Sequence, residues 1–270
     1  MRAIPVAAFT PANVRNPVQT AADVNDLPNV DTIAHPCMII KGSRYYMFFT
    51  AKYLKTDEGG VGLGQSNNGR EWHYRLAVIH EPVMVSTPVV FKCQNDFYMV
   101  PETFELTTAR LDKATAFPDT WEYQKDLLRG DHFVAPTLVR YKDMWWMFTG
   151  VEGNETLRLL YAQDFTGPWT EHPLSPVVKK NRHTAWPAGI PFMLDGEVSR
   201  LGMDIVPTYG YQVHAFKIIG LSTKTYVEKM IDTVLVKASG QGWNADAMHH
   251  VDAHPIGRSQ CIAAGDALGK

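Results

Sequence analysis

Cysteine is scarce in this chain of 270 residues: Cys37, Cys93 and Cys261 stand far apart and are odd in number. That argues against a disulfide framework and for free thiols in a reducing compartment. A charge excess of either sign is also missing. The 26 basic residues nearly balance the 28 acidic ones, for a net charge of −2. This leaves no electrostatic footprint for nucleic acid or an anionic membrane. No apolar run is long enough to span a bilayer, and MRAIPVAAFTPANV lacks the apolar core of a secretory signal. A cytoplasmic or otherwise non-secreted, soluble protein is the expectation. There is no G-x-S-x-G, no phosphate loop, no H-E-x-x-H and no C-x-x-C. GVGLGQSNNG is rich in glycine, but it lies in a β-type pattern with no helix after it, so a dinucleotide site is not expected. No cofactor is expected, and no metal. Asn154-Glu155-Thr156 matches a glycosylation acceptor by a pattern short enough to arise by chance.

What the chain does contain is a cadence repeated five times: a proline, a short apolar strand, a turn, and a second strand rich in aromatics or Met. It begins at Pro36, Pro88, Pro136, Pro191 and Pro255, at spacings of 52, 48, 55 and 64 residues. An all-β unit of about 40–50 residues is the sequence form of a propeller blade. The first three units share a tail in which Trp72, Trp121 and Trp169 hold one slot, with Tyr226 as its counterpart in the fourth. The expectation is an all-β, five-bladed β-propeller of four-stranded antiparallel blades around a central channel. Residues 1–270 would form one domain, with residues 1–29 supplying the strand that the short fifth unit lacks. At 45% hydrophobic and 11% aromatic residues, the chain can bury such a core.

In a propeller the innermost strands line the channel, so the positions around the five prolines belong at its mouth. They bring Asp31 and His35, Glu102 and Glu105, and Asp131 and His132. The later units bring His183, Trp186 and Asp204, then His249, His250, Asp252 and His254. Carboxylates, imidazoles and an indole together suit sugar chemistry. One carboxyl can protonate a leaving oxygen, another can activate water, and a ring can carry a sugar face. Each residue also has a plainer role. A Glu at a strand end is commonly a solvated rim residue, and Asp204 among apolar neighbours needs a partner when buried. His249 and His250, adjacent on a strand, point to opposite faces, while His250, Asp252 and His254 alternate onto one.

The order of AHPCMIIKGSRYYMFF, VSTPVVFKCQNDFYMVPET, FVAPTLVRYKDMWWMFTG, LRLLYAQDFTGPWTEHPLSPVV, WPAGIPF and GWNADAMHHVD resembles five-bladed propellers related to the family 43 glycoside hydrolases. It is most similar to the propeller domain found beside glycosyltransferase or formyltransferase modules, including the N-terminal part of plant glucosamine inositolphosphorylceramide transferases. The resemblance covers roughly residues 30–255. It implies a carbohydrate substrate or glycan ligand, with Glu102 as catalytic acid, Asp204 as base or modulator and His35 in support. Trp186, His249, His250, Asp252, Asp131 and Asp31 would bind substrate. Glu102, Asp204 and His249-His250 stand where such sequences carry matching residues. His35 and Ala135 stand where they carry aspartate, and Trp186 replaces the arginine of an Arg-Pro-Ala-Gly motif. Two classes of function follow: a glycoside hydrolase, or a glycan-binding or assembly module that has lost catalysis.

Overall fold

The computed structural model describes residues 13–269 except 55, 57, 152–154 and 257–259. Asn154, and with it the glycosylation pattern, lies outside the described residues. The chain is all-β and divides into two compact parts, with His132 the last residue of one and Phe133 the first strand residue of the other.

The part ending at His132 contains two four-stranded antiparallel sheets. The first runs β1 (Val30–Lys41), β2 (Arg44–Tyr53), β3 (Gly59–Ser66), β4 (His73–His80), in that order across the sheet. The second repeats the order with β5 (Ser86–Cys93), β6 (Asp96–Thr103), β7 (Thr108–Ala116) and β8 (Thr120–Arg129). Sequential strands joined by short turns, with every neighbour in the sheet also a neighbour in sequence, make the up-and-down pattern of a propeller blade. The apolar content falls from inner to outer strand. In β2, Tyr46 to Ala51 are all buried, so the strand is covered on both faces. In β8 no residue is fully buried. This is why the inner strands read as continuous apolar runs while the outer ones are polar.

The glycine run GVGLG is strand β3, with its glycines facing a neighbour rather than a phosphate. Phe49 pairs with Gly62, and a Cβ at Gly62 would lie 2.5 Å from the Phe49 ring. Residues ahead of β1 also pack on this sheet. Asp26 accepts the Ala77 N–H of β4 at 2.9 Å, and Val24 and Leu27 are buried.

The part beginning at Phe133 starts with a third four-stranded sheet: β9 (Phe133–Tyr141), β10 (Met144–Val151), β11 (Leu157–Ala162) and β12 (Thr170–Glu171). The fourth sheet is larger. It contains β13 (Trp186–Pro187), β14 (Phe192–Leu194), β15 (Glu197–Asp204), β16 (Gln212–Leu221), β17 (Tyr226–Met230) and β18 (Val236–Lys237). Here β13 and β14 both pair with β15, so the inner strand is interrupted at residues 188–191. Its core joins Leu201, Met203, Val213 and Ala215 to Val251 and Ala253 of β19 (Val251–Pro255). Among the described residues, the fifth unit forms a pair, β19 with β20 (Cys261–Gly265).

The expected five blades of four strands are therefore corrected. Among the described residues, four sheets have four strands or more, and the fifth has two. Residues 1–12 of the stretch expected to complete this sheet lie outside the described residues. Residues 13–29 hold one 3-10 turn, Ala21–Asp23, and no strand. Among the described residues, no cysteine forms a disulfide. Among the described residues, no helix is long and apolar enough to cross a membrane.

Candidate functional site

The prolines that begin the first three repeats mark one local structure. The residue before each has a left-handed backbone although none is glycine: His35 at φ +52°, Thr87 at +43° and Ala135 at +44°. At each the strand pairing slips, between Ala34 and Cys37, between Ser86 and Val89, and opposite Phe148 to Gly150. A bulge aims one side chain out of the regular pleat. Holding a non-glycine residue there costs about 1–3 kcal/mol, a cost met mostly at functional positions.

Between the first two sheets these bulges are wired together. His35 Nδ1 shares a hydrogen bond with Thr50 Oγ1 at 3.1 Å. The same hydroxyl oxygen accepts the Thr87 N–H at 2.9 Å. Ser86, next in the chain, donates its hydroxyl to Glu102 Oε1 at 3.1 Å, and the two are cross-strand partners. Register gives Thr50 and Glu102 equivalent positions, since Ala34 faces Thr50 as Ser86 faces Glu102. His35 and Glu102 are both partly exposed, whereas Thr50, Ser86 and Thr87 are buried beneath them. An imidazole and a carboxylate thus stand on a fixed floor and keep faces open to solvent.

Past Glu102, His132 Nδ1 meets the Phe104 carbonyl at 3.0 Å and its ring lies 4.5 Å from the Phe104 ring. This places Asp131 beside the end of β6. Asp31 is exposed at the outset of β1, and Glu105 turns outward, with its carboxylate accepting the Met84 N–H at 3.4 Å.

In the part from Phe133 onward, the predicted residues fall into three clusters. Asp204 is buried at the end of β15. Its Oδ1 accepts the Val206 N–H at 3.0 Å and lies 2.9 Å from His183 Nδ1, and its Oδ2 accepts from Gln212 Nε2 at 3.2 Å. Trp186 meets Tyr209 edge-on at 5.3 Å, and Tyr209 meets His249 edge-on at 5.1 Å. His249 Nδ1 lies 2.6 Å from Asp266 Oδ1, which also accepts the N–H of buried His250 at 2.9 Å. Asp252 and His254 pair with each other at 2.8 Å. Burial alone pulls the His254 pKa down, but the Asp252 carboxylate outweighs it and the net shift is upward.

Sequence reasoning missed Thr50, Ser86 and Thr87, because a bulge changes which residues face each other. It also missed Tyr209 and Tyr211, whose signal was two tyrosines around one glycine at the end of an apolar strand.

Comparison with known proteins gives a family and a fold. The family described as glucosamine inositolphosphorylceramide transferase 1, N-terminal, matches residues 6–267. Glucosamine inositolphosphorylceramide transferase 1 of Oryza sativa subsp. indica is 31% identical over 265 residues, covering 94% of this chain and 35% of the relative. The protein of the same name from Arabidopsis thaliana is 29% identical over 266 residues, covering 94% and 34%. The chain thus spans about a third of the length of the curated relatives it matches. Among solved structures, the catalytic domain of Coprinopsis cinerea GH62 alpha-L-arabinofuranosidase has a TM-score of 0.67 at 15% identity, covering 86% of this chain and 80% of that one. Cellvibrio cellulosa alpha-L-arabinanase, complexed with arabinohexaose, has a TM-score of 0.57 at 13% identity, covering 73% and 77%. At such identities the likeness is one of fold, that of the glycoside hydrolase propellers.

Proposed function

The chain belongs to the glucosamine inositolphosphorylceramide transferase 1 N-terminal family, and from that premise we propose that it is a glycan-recognition domain built on a hydrolase-type propeller. One observation carries this reading. The residues before Pro36 and Pro136 hold a left-handed backbone, and they are His35 and Ala135, where the hydrolase-related sequences it resembles carry aspartate. A methyl group cannot activate water or form a glycosyl intermediate. An imidazole tied to Thr50 and a carboxylate tied to Ser86 can both hydrogen-bond sugar hydroxyls. The floor that orients them lowers the entropy cost of recognition. Glu102, His35 and Asp131 form the ligand-facing group of the first part. Asp204, Trp186, His249, His250 and Asp252 form that of the second, while Asp31 is too far out on β1 to be assigned a contact. The transferase activity in the relatives' names is not assigned to this third of their length.

Glycoside hydrolysis is the second reading, favoured by the way Asp204 is held. A buried carboxylate with an N–H, an amide and an imidazole around it is oriented as a base or modulator must be, and Glu102 would be the acid.

Saturation-transfer NMR with cellotriose, arabinohexaose and chitotriose, combined with chromatography of the incubated sugars, tests both. Transfer to at least one intact sugar, weakened about tenfold or more in Glu102→Ala, is the expected result. Cleavage that disappears in Glu102→Gln would put the hydrolase in place of the binding domain. Absence of transfer from every sugar would remove both.

A further inference from the structure

A second feature adjoins the Trp186 and His249 cluster. The turn joining β15 to β16 is pinned at both ends. Tyr211 N–H donates to the Asp204 carbonyl at 3.0 Å, and Met248 N–H donates to the Gly210 carbonyl at 2.9 Å. Gly210 has φ +74°, and a Cβ there would lie 2.9 Å from the His249 Cβ, so only glycine lets the turn sit this close. The result is that Tyr209 and Tyr211, one on either side of Gly210, stay on a fixed backbone while remaining 49% and 40% exposed. Tyr209 is braced on one side by Trp186 and His249.

Both tyrosines, with Thr208, Ser239, Asp246 and Leu268, line a groove of about 630 Å³. Small-molecule sites run to about 300–1,000 Å³. Its far wall is fixed as well. Gly240 N–H donates to the Ala245 carbonyl at 3.1 Å, and Asp246 N–H to the Leu268 carbonyl at 2.8 Å. Among the described residues, the lining contains one carboxylate, Asp246, and no lysine or arginine.

Rigid, half-exposed aromatic rings edged by hydroxyl and carboxylate groups match the two faces of a sugar, whose C–H side stacks and whose hydroxyls bond. The Asp246 carboxylate in the lining repels phosphate, sulfate or uronate and favours an amine. We infer that this groove is a glycan subsite for a neutral or amine-bearing oligosaccharide of two or more rings, with Tyr209 and Tyr211 as its stacking platform. The inference rests on the glycan-recognition reading and adds to it the place and charge class of the ligand.

Amide NMR titration of the full chain with glucosamine trimer, cellotriose and a sulfated trisaccharide tests it. Shifts at Gly210, Gly240 and Ala247 with the first two sugars are expected. Binding read at these three amides should be about tenfold weaker in Tyr211→Ala. The sulfated sugar should bind about tenfold less tightly than glucosamine trimer, and Asp246→Lys should reverse that order. Shifts confined to residues around His35 and Glu102, or equal affinity in Tyr211→Ala, would overturn the groove and leave glycan recognition standing. No shift with any sugar would overturn both. Should Tyr211→Ala fail to fold, Tyr211→Leu keeps the test, since it retains bulk and loses the ring.

Discussion

The second and fourth sheets each bury an arginine, and they neutralise it differently. In the fourth, Arg200 is 2% exposed, pairs with both carboxylate oxygens of Glu228 at 2.6 Å, donates to the Thr184 carbonyl at 2.9 Å and stacks on Phe216 at 4.0 Å. One cation meets one anion. Burial pushes the Tyr226 phenol up, so it stays protonated and donates to Glu228. In the second sheet, Arg110 faces two anions: it is bidentate to Glu81 at 2.8 Å and also holds Asp112 at 3.0 Å. Asp112 is 1% exposed, and among the described residues its Oδ1 has no hydrogen-bond partner. Burial drives its pKa up to about 6, with Glu81 adding to the rise and Arg110 opposing it. One buried arginine thus sits in a balanced cluster and the other beside a surplus carboxylate, and only the second should respond to pH.

The largest effect expected from this contrast is at the balanced cluster. Arg200→Met leaves Glu228 in an apolar setting and should cost about 3–5 kcal/mol in chemical denaturation. Adding Glu228→Gln should recover most of that loss. A cost below about 1 kcal/mol would mean the pair is not effectively buried. At the unbalanced cluster the sign reverses. Asp112 has its folded pKa above its unfolded one, so the native state holds the extra proton between about pH 4 and 6. Stability then falls as pH rises through that window and is level above it. Asp112→Asn should remove this fall, leaving stability unchanged near pH 4 and raising it by about 1–2 kcal/mol at pH 7. Unfolding curves at the two pH values decide this, and a variant less stable at pH 7 would show that Asp112 is needed as an anion.

Smaller is the effect at the strand bulges. Thr50→Val deprives His35 and the buried Thr87 N–H of their shared oxygen and should cost about 1–3 kcal/mol. Thr50→Ser should restore both stability and sugar affinity, whereas equal losses in the two variants would assign the effect to packing. Smallest is an arginine left in water: Arg75 pairs with Asp119 at 3.2 Å with both side chains more than a third exposed. Arg75→Ala should change stability by less than about 0.5 kcal/mol. A larger loss would blur the contrast between buried and exposed arginines.

How far the sequence carries depends on whether a feature is local. The proline, strand, turn and aromatic strand of each repeat are contiguous, so the first three sheets appear at their expected places. The fourth was harder. Trp186-Pro187 and Phe192–Leu194 lie either side of a break and return to the same strand, and no period in the sequence marks that return. Arg110 and Asp112 alternate onto one face of β7 and so were open to discovery, but Glu81 comes from 29 residues away. The wiring of His35 to Glu102 was hidden for the same reason. It passes through Thr50, Thr87 and Ser86, whose facing positions are set by bulges that shift the register.

The most direct test of the central claim is a crystal structure of this chain soaked with chitotriose. An intact trisaccharide is expected, with a sugar hydroxyl within hydrogen-bond distance of the Glu102 carboxylate. Cleaved product at Glu102, or a soaked crystal with no sugar bound at all, would contradict it.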